Sequence, residues 1–436
     1  MGQAAGGLQK ALAGASLAAQ TRRRVTARLM PFLFVLYVVA YVDRINISFA
    51  GLQMTDALGF NDAVFGFGSG IFFFGYTLLA IPGAMMVERW SARKTMAATM
   101  VVWGLVASST GFIHTKAEFY SMRLLLGVAE AGFFPGMITY LSHWYRTEDR
   151  ARAVAIFMTA IPVSRVLASP VSAVLLRANW FGLPGWRWLL ILEGAPAVVL
   201  GIASLLYLTD WPRQARWLSD EQRDWLLEEM KRENEEKQPS GRASFWEAMA
   251  RRDVWFLCLA YFGGTTGEYG LSLWLPKILQ RLGNLSAVRT ALLTAIPSLT
   301  AIPAMVLWGA RSDRTAERRW HAAIPRFVAG ASLAAIAAQS LGVPAALAAF
   351  SVATAGIVAA YGPLWAIPTS ILGSSAAAAS IGLINAFGNI GGFAGPYIIG
   401  WFSSRTGEYA GGLWSVAAAL VCSGVFALLV RARSSN

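Results

Sequence analysis

The chain has 436 residues, 56% of them hydrophobic and only 14% charged, with a mean hydropathy of +0.49. Soluble domains carry about 25% charged residues, and this much apolar surface would have to face water in a soluble fold. Composition therefore excludes a water-soluble enzyme, a coiled coil and a disordered chain, and two cysteines are too few for a disulfide framework.

A membrane helix needs roughly 20 mostly apolar residues. Twelve segments qualify in chain order: 29–50, 64–87, 95–113, 119–142, 153–176, 188–209, 253–279, 289–310, 322–341, 344–372, 377–403 and 409–431. Several contain Gly and Pro, which membrane helices tolerate. The predicted fold class is an all-α membrane protein of twelve transmembrane helices. Residues 1–27 are basic and rich in Ala and Gly, and read as a disordered arm. The first span holds Asp43 and Arg44 and lacks a small-residue cleavage site, so it reads as a retained span rather than a signal peptide. Cys258 and Cys422 fall inside apolar runs and read as small buried residues.

The net charge of +13 is a topology signal rather than a nucleic-acid footprint. Most Lys and Arg lie in the loops on the side of the N-terminus, including the eighth–ninth loop and its flank. The opposite side carries only Lys116, Arg177, Arg187, Lys277, Arg281, Arg289 and Arg405. The positive-inside rule then places both termini in the cytoplasm. The polar stretch 210–252 reads as a cytoplasmic connector with an amphipathic helix from Ser219 to about Glu236. It separates two six-span bundles, 28–209 and 253–436. Each bundle has a charged turn between its second and third spans: Gly83 to Lys94 with Glu88, Arg89 and Arg93, and Trp308 to Arg314 with Asp313. Repeated halves around a central site are the plan of many secondary transporters.

These two turns resemble the signature loop of the major facilitator superfamily. Segments 40–46 (Ala-Tyr-Val-Asp-Arg-Ile-Asn), 123–136, 185–194 and 382–396 resemble its anion:cation symporter family, nearest the bacterial tartrate-, phthalate- and sugar-acid-type carriers. The resemblance implies the major facilitator fold, two pseudo-repeated six-helix bundles, and uptake of an organic anion with protons by alternating access. It further implies a functional monomer in the inner membrane.

Ionisable groups inside a span are costly and mark functional candidates. On the first helix Tyr37, Tyr41, Arg44 and Ser48 form one stripe, with Asp43 beside it. Either Asp43 and Arg44 form a static pair, or Asp43 takes a proton while Arg44 meets a substrate carboxylate; matching positions in the resembled family have those roles. On the fourth helix Arg123 and Glu130 share a face. Glu130, among small apolar neighbours, reads as a second proton carrier or as the partner of Arg123. Arg165, in mid-span, needs an acid or an anionic ligand. It reads either as a substrate contact, its planar fork suiting a carboxylate, or as the fixed partner of Glu268 in the glycine-rich seventh span.

Asn385 is the expected amide contact to substrate, with Asn389 one turn on as a contact or a bridge between helices. Tyr76, Tyr361, Trp365 and Ser370 are candidate cavity walls, Tyr76 chiefly by resemblance. Glu193 and Arg187 read as structural. Glu88, Arg89, Arg93, Asp313 and Arg314 are expected to latch the cytoplasmic side when closed. No metal cluster and no phosphate-binding loop is present, so neither a cofactor nor ATP is expected. The partners expected are a small organic anion (a mono- or dicarboxylate such as a sugar acid, a tartrate-like or an aromatic acid), protons and the lipid bilayer. The alternatives are an uncoupled facilitator or exchanger of the same anions and, from another class, a membrane-embedded enzyme or sensor.

Overall fold

The computed structural model describes residues 2–236, 249–338, 341–371 and 374–431, without the side chains of 2–15, 80–81, 83–89, 147–148, 151, 234, 236, 369–371 and 374–379. The helices before the connector are α1 (Gly2–Ala57), α2 (Asp62–Arg89), α3 (Ala92–Thr110), α4 (Lys116–Glu130), α5 (Phe133–Ser142), α6 (Thr147–Met158), α7 (Ala160–Leu175) and α8 (Gly185–Tyr207). Helix α9 (Asp220–Glu236) lies in the connector. After it come α10 (Arg252–Gly283), α11 (Ala287–Leu293), α12 (Ala295–Thr315), α13 (Arg319–Ala338), α14 (Val343–Ala359), α15 (Tyr361–Ile371), α16 (Ser374–Thr406) and α17 (Ala410–Leu429). Among the described residues, nine helical segments are long and apolar enough to cross a membrane. Helices α3, α10 and α16 are equally long but richer in glycine and polar residues.

Four of the expected spans are broken in the middle. The breaks fall at Gly132, Thr159, Thr294 and Ala360, each three residues before a proline (Pro135, Pro162, Pro297, Pro363). Proline has no N–H to donate and its ring crowds the preceding turn, so the helix pauses and restarts. The prolines were visible in the sequence; the breaks they cause were not separated there. Polar side chains start other helices: Ser91, Thr115 and Ser286 accept from the backbone N–H of Lys94, Glu118 and Arg289.

The N-terminal arm differs from expectation. Helix α1 begins at Gly2, so the described part of the arm, residues 2–27, is helical. The alanine-rich segment favours a helix, and its last turns are docked: Arg22 pairs with Asp149 at 3.2 Å, Arg24 donates to Gln222 on α9, and Val25 is buried. Helix α9 is tied to the same face by Arg146–Glu229 at 2.6 Å. Cys258 is buried as expected, but Cys422 is exposed on the outer side of α17.

Helix ends collect on two faces. On the terminal face, Asp210 accepts from Ser91 and from the backbone N–H of Arg93, and Asp253 accepts from the N–H of Arg431. On the far face, contacts run between helices before and after the connector. Lys277 pairs with Asp62 at 2.7 Å, Ser403 donates to the second oxygen of Asp62, and Gln280 donates to the carbonyl of Leu52. Arg93 and Asp313, two of the expected latch residues, bond within their own groups of helices, to Asp210 and to Arg318. Arg314 is exposed. The side chains of Glu88 and Arg89 lie outside the described residues. Among the described residues the two groups are thus joined at the far face, and Arg93 and Asp313 bond within their own groups.

Helices α2 and α4 touch at backbone distance because Gly127 has no side chain. A Cβ there would lie 1.9 Å from the carbonyl oxygen of Phe72. Overpacking against backbone costs about 1–3 kcal/mol or more. Gly127→Ala is therefore expected to lower the thermal unfolding temperature in detergent by several degrees. Gly309→Ala, where a Cβ would meet open space, should leave it in place.

Candidate functional site

The first charged cluster is built by α1, α2 and α4. Asp43 is wholly buried; one of its oxygens accepts from Asn46 at 3.0 Å and the other has no partner. It does not pair with Arg44. Arg44 instead crosses to Glu130, with Nη2 donating to Oε2 at 2.5 Å. The guanidinium also lies 5.1, 5.3 and 5.0 Å from the ring centroids of Tyr41, Phe72 and Tyr76. Cations are attracted to such ring faces. Arg123, the sequence-based partner of Glu130, is buried against Phe72 and makes no ion pair with a carboxylate of the described residues. The reason is the break after Glu130. It ends α4 there, and the close approach to α2 aims the carboxylate at α1 rather than back along its own helix. Glu130 thus keeps one oxygen bonded and one free of partners.

The second cluster joins the two groups of helices. Arg165 on α7 forms an ion pair with Glu268 on α10, both side chains nearly buried. One turn on, Ser169 and Thr294 share a hydrogen bond at 3.2 Å. Arg165 and Glu268 line two cavities at once. Towards the terminal face lies a cavity of about 190 Å³, whose walls include Tyr41, Tyr261, Tyr361, Trp365 and Asn389. Towards the far face lies a narrow one of about 40 Å³, reached past Ser48, Ser169 and Thr294. The ion pair is therefore a partition across the seam.

Several expected residues are brought together here, and others are not. Trp365 lines the larger cavity and packs edge-on to Tyr261 with centroids 4.7 Å apart. Asn389 lines it too, and its amide nitrogen has no partner. Asn385 is not among the residues lining this cavity. The two amides share a face of α16 and differ by one turn in depth. Tyr76 sits in the first cluster, beneath Arg44, and not on the cavity wall. The side chain of Ser370 lies outside the described residues. Glu193 accepts from Ser172, and Arg187 donates to the carbonyl of Gly111.

The sequence reading missed Arg326. It was grouped with the charges flanking the eighth–ninth loop, yet it is fully buried in α13. Its Nη1 donates to the Ala260 carbonyl at 3.0 Å and to Ser423, while Nε and Nη2 have no partner. Its place four residues inside an apolar segment was the available signal.

Membrane helices in two groups, meeting at a seam that holds charged residues and a cavity, are the build of a secondary transporter. The chain belongs to the Major Facilitator Superfamily, whose family model matches residues 33–396. A protein of Agrobacterium vitis named "Putative tartrate transporter" is 44% identical over 411 residues, covering 94% of each chain. The inner membrane transport protein RhmT of Escherichia coli is 34% identical over 406 residues, covering 93% of this chain and 94% of its own. Among solved structures, a D-xylose-proton symporter superposes with a TM-score of 0.74 at 14% identity, over 92% of this chain and 97% of that one. A bacterial homologue of the human lysosomal transporter Spinster, in an inward-facing and unoccupied conformation, also gives 0.74, at 19% identity and covering 94% and 95%. At these identities the two structures show a shared fold.

Breaking one side of a buried ion pair leaves an uncompensated charge, at a cost of about 3–5 kcal/mol. Glu268→Leu and Arg165→Met are therefore each expected to lower the unfolding temperature clearly, and the double change to restore most of it. A double-mutant cycle on thermal unfolding measures this; additive losses would show that the two side chains are not coupled.

Proposed function

We propose that this protein takes up a small carboxylate together with protons across the inner membrane by alternating access, with its terminal face in the cytoplasm. The observation that carries the reading is Arg165, a guanidinium on the wall of a cavity at the seam, held by a carboxylate from the opposite group of helices. Arg165 meets Glu268 through Nη2 while its Nε has no partner, so a substrate carboxylate that takes the place of Glu268 can fill the planar fork in bidentate fashion. Binding then exchanges one ion pair for another, which avoids leaving a bare charge in the membrane. The exchange also releases the link between the two groups of helices, which is what a rocking motion about a central site requires. The name of the Agrobacterium vitis relative, a tartrate transporter, supports a carboxylate as cargo.

Protons enter this reading through Glu130 and Asp43. Protonating Glu130 weakens its bond to Arg44 and leaves that cation available to an anion or to Asp43. Asp43 already carries an oxygen without a partner. The arrangement couples the protonation of two acids to the charge of one neighbouring arginine. Each net charge carried inward with the membrane potential gains about 2.3 kcal/mol per 100 mV. Glu88, Arg89, Arg93, Asp313 and Arg314 would latch the terminal face in the opposite conformation, when the far-face bonds of Asp62 and Lys277 have opened. Such exposed pairs are individually weak, about 0–1 kcal/mol, and so are easily exchanged during the cycle.

The test is uptake into proteoliposomes under an imposed inward proton gradient, with a panel of mono- and dicarboxylates. Accumulation of at least one acid is expected, and its collapse when a protonophore is added. Uptake indifferent to the gradient would replace this reading with a facilitator or exchanger. Asp43→Asn and Glu130→Gln are each expected to reduce gradient-driven accumulation about tenfold or more while leaving counterflow exchange measurable. Arg165→Ala should abolish both.

A further inference from the structure

The charges around the seam do not balance. Asp43, Arg44, Arg123 and Glu130 contribute two of each sign, Arg165 and Glu268 one of each, and Arg187 and Glu193 on α8 one of each. Arg326 is a further cation, and no carboxylate of the described residues lies within ion-pair distance of it. A guanidinium so placed would be expected to find an acid. This one is held only by the Ala260 carbonyl and the Ser423 hydroxyl. The fold makes room for it: a Cβ on Gly264 would lie 2.7 Å from Nη2.

What lies in front of Arg326 is the larger cavity. Its guanidinium carbon is 5.9 Å from the centroid of the Tyr361 ring, and that ring is a wall of the cavity. The Tyr361 hydroxyl is buried, lies within electrostatic range of Glu268 and makes no hydrogen bond of normal geometry. On the same cavity, the side-chain nitrogen of Asn389 also lacks an acceptor. The wall thus carries the unused donor of Asn389 and the Tyr361 hydroxyl, which faces Glu268, with the Arg326 guanidinium behind the tyrosine ring. Such a surface attracts oxygen that bears negative charge. Arg165 lines the same cavity, its Nη2 held by Glu268.

We propose that Tyr361 and Asn389, under the field of Arg326, form a second carboxylate subsite, and that the carrier thereby prefers dicarboxylates to monocarboxylates. This rests on the carboxylate reading above and sharpens it. One carboxylate of the substrate exchanges with Glu268 on Arg165. The other takes the donors of Tyr361 and Asn389. Arg326 touches neither; it is a positioning cation that acts through the Tyr361 ring and hydroxyl.

The experiment uses the full chain in proteoliposomes under the inward proton gradient. The probes are tartrate and phthalate as dicarboxylates, with glycerate and benzoate as their monocarboxylate counterparts. The readout is the ratio of half-saturating concentrations, dicarboxylate to monocarboxylate. Arg326→Gln is expected to raise it about tenfold or more, the loss of one favourable charge interaction in a desolvated site. Arg326→Lys should return it to within about threefold of the wild type, a rescue that a purely packing role would not give. Tyr361→Phe should raise the ratio with the ring retained. A well-folded Arg326→Gln protein with an unchanged ratio would overturn the proposal. If that variant does not fold, an unchanged ratio in both Tyr361→Phe and Asn389→Leu would overturn it instead. Wild-type uptake of the monocarboxylates at equal or lower half-saturating concentration sinks the subsite alone. Uptake of none of the four acids removes the carboxylate reading and the subsite with it.

Discussion

The ion pair between Arg165 and Glu268 is the constraint around which the interior is arranged. A guanidinium in mid-membrane cannot stand alone at acceptable cost, and here its partner comes from the other side of the connector. The two groups of helices are thereby linked at the centre, and the cavities on either side are kept apart. A buried pair of this kind adds little net stability compared with apolar residues of the same shape. What it fixes is the choice of partner at the seam.

The other charged groups follow the same logic within one group of helices. Arg44 is satisfied by Glu130 and by three aromatic rings. Asp43 is left with Asn46 alone. This division depends on how closely α2 and α4 approach, which Gly127 permits. It depends also on the end of α4 at Glu130, three residues after that glycine. A packing detail between two helices therefore sets which acid holds an arginine and which keeps a vacant oxygen. Far from this centre, Asp62, Lys277 and Ser403 close the far face with polar bonds that are exchangeable with water.

Most of the architecture was legible in the residues themselves. Apolar length marks the spans, charge asymmetry divides the loops into two sides, and the repeated turns around Arg89 and Arg314 with the segments near Asp43, Glu130 and Asn389 point to the superfamily to which the chain belongs. Asp43, Arg44, Arg123, Glu130, Arg165 and Glu268 stand out in the sequence because a charge within an apolar run is conspicuous whatever the fold. Arg326 does not: it lies only four residues inside its apolar segment, and composition blurs the depth of a helix end by a few residues.

By itself, then, the sequence determined that this is a membrane protein of paired helical bundles and which rare charges it commits to the interior. These are properties of single segments, readable from hydropathy and from one-dimensional spacing. Only the tertiary structure decided who meets whom: Arg44 with Glu130 rather than Asp43, Arg165 with Glu268 across the seam, Arg326 with no acid among the described residues. Each of those outcomes is set by the rotation and approach of helices far apart in the chain. The energy that selects them, the cost of leaving a charge unpaired in an apolar interior, appears only once the helices have packed.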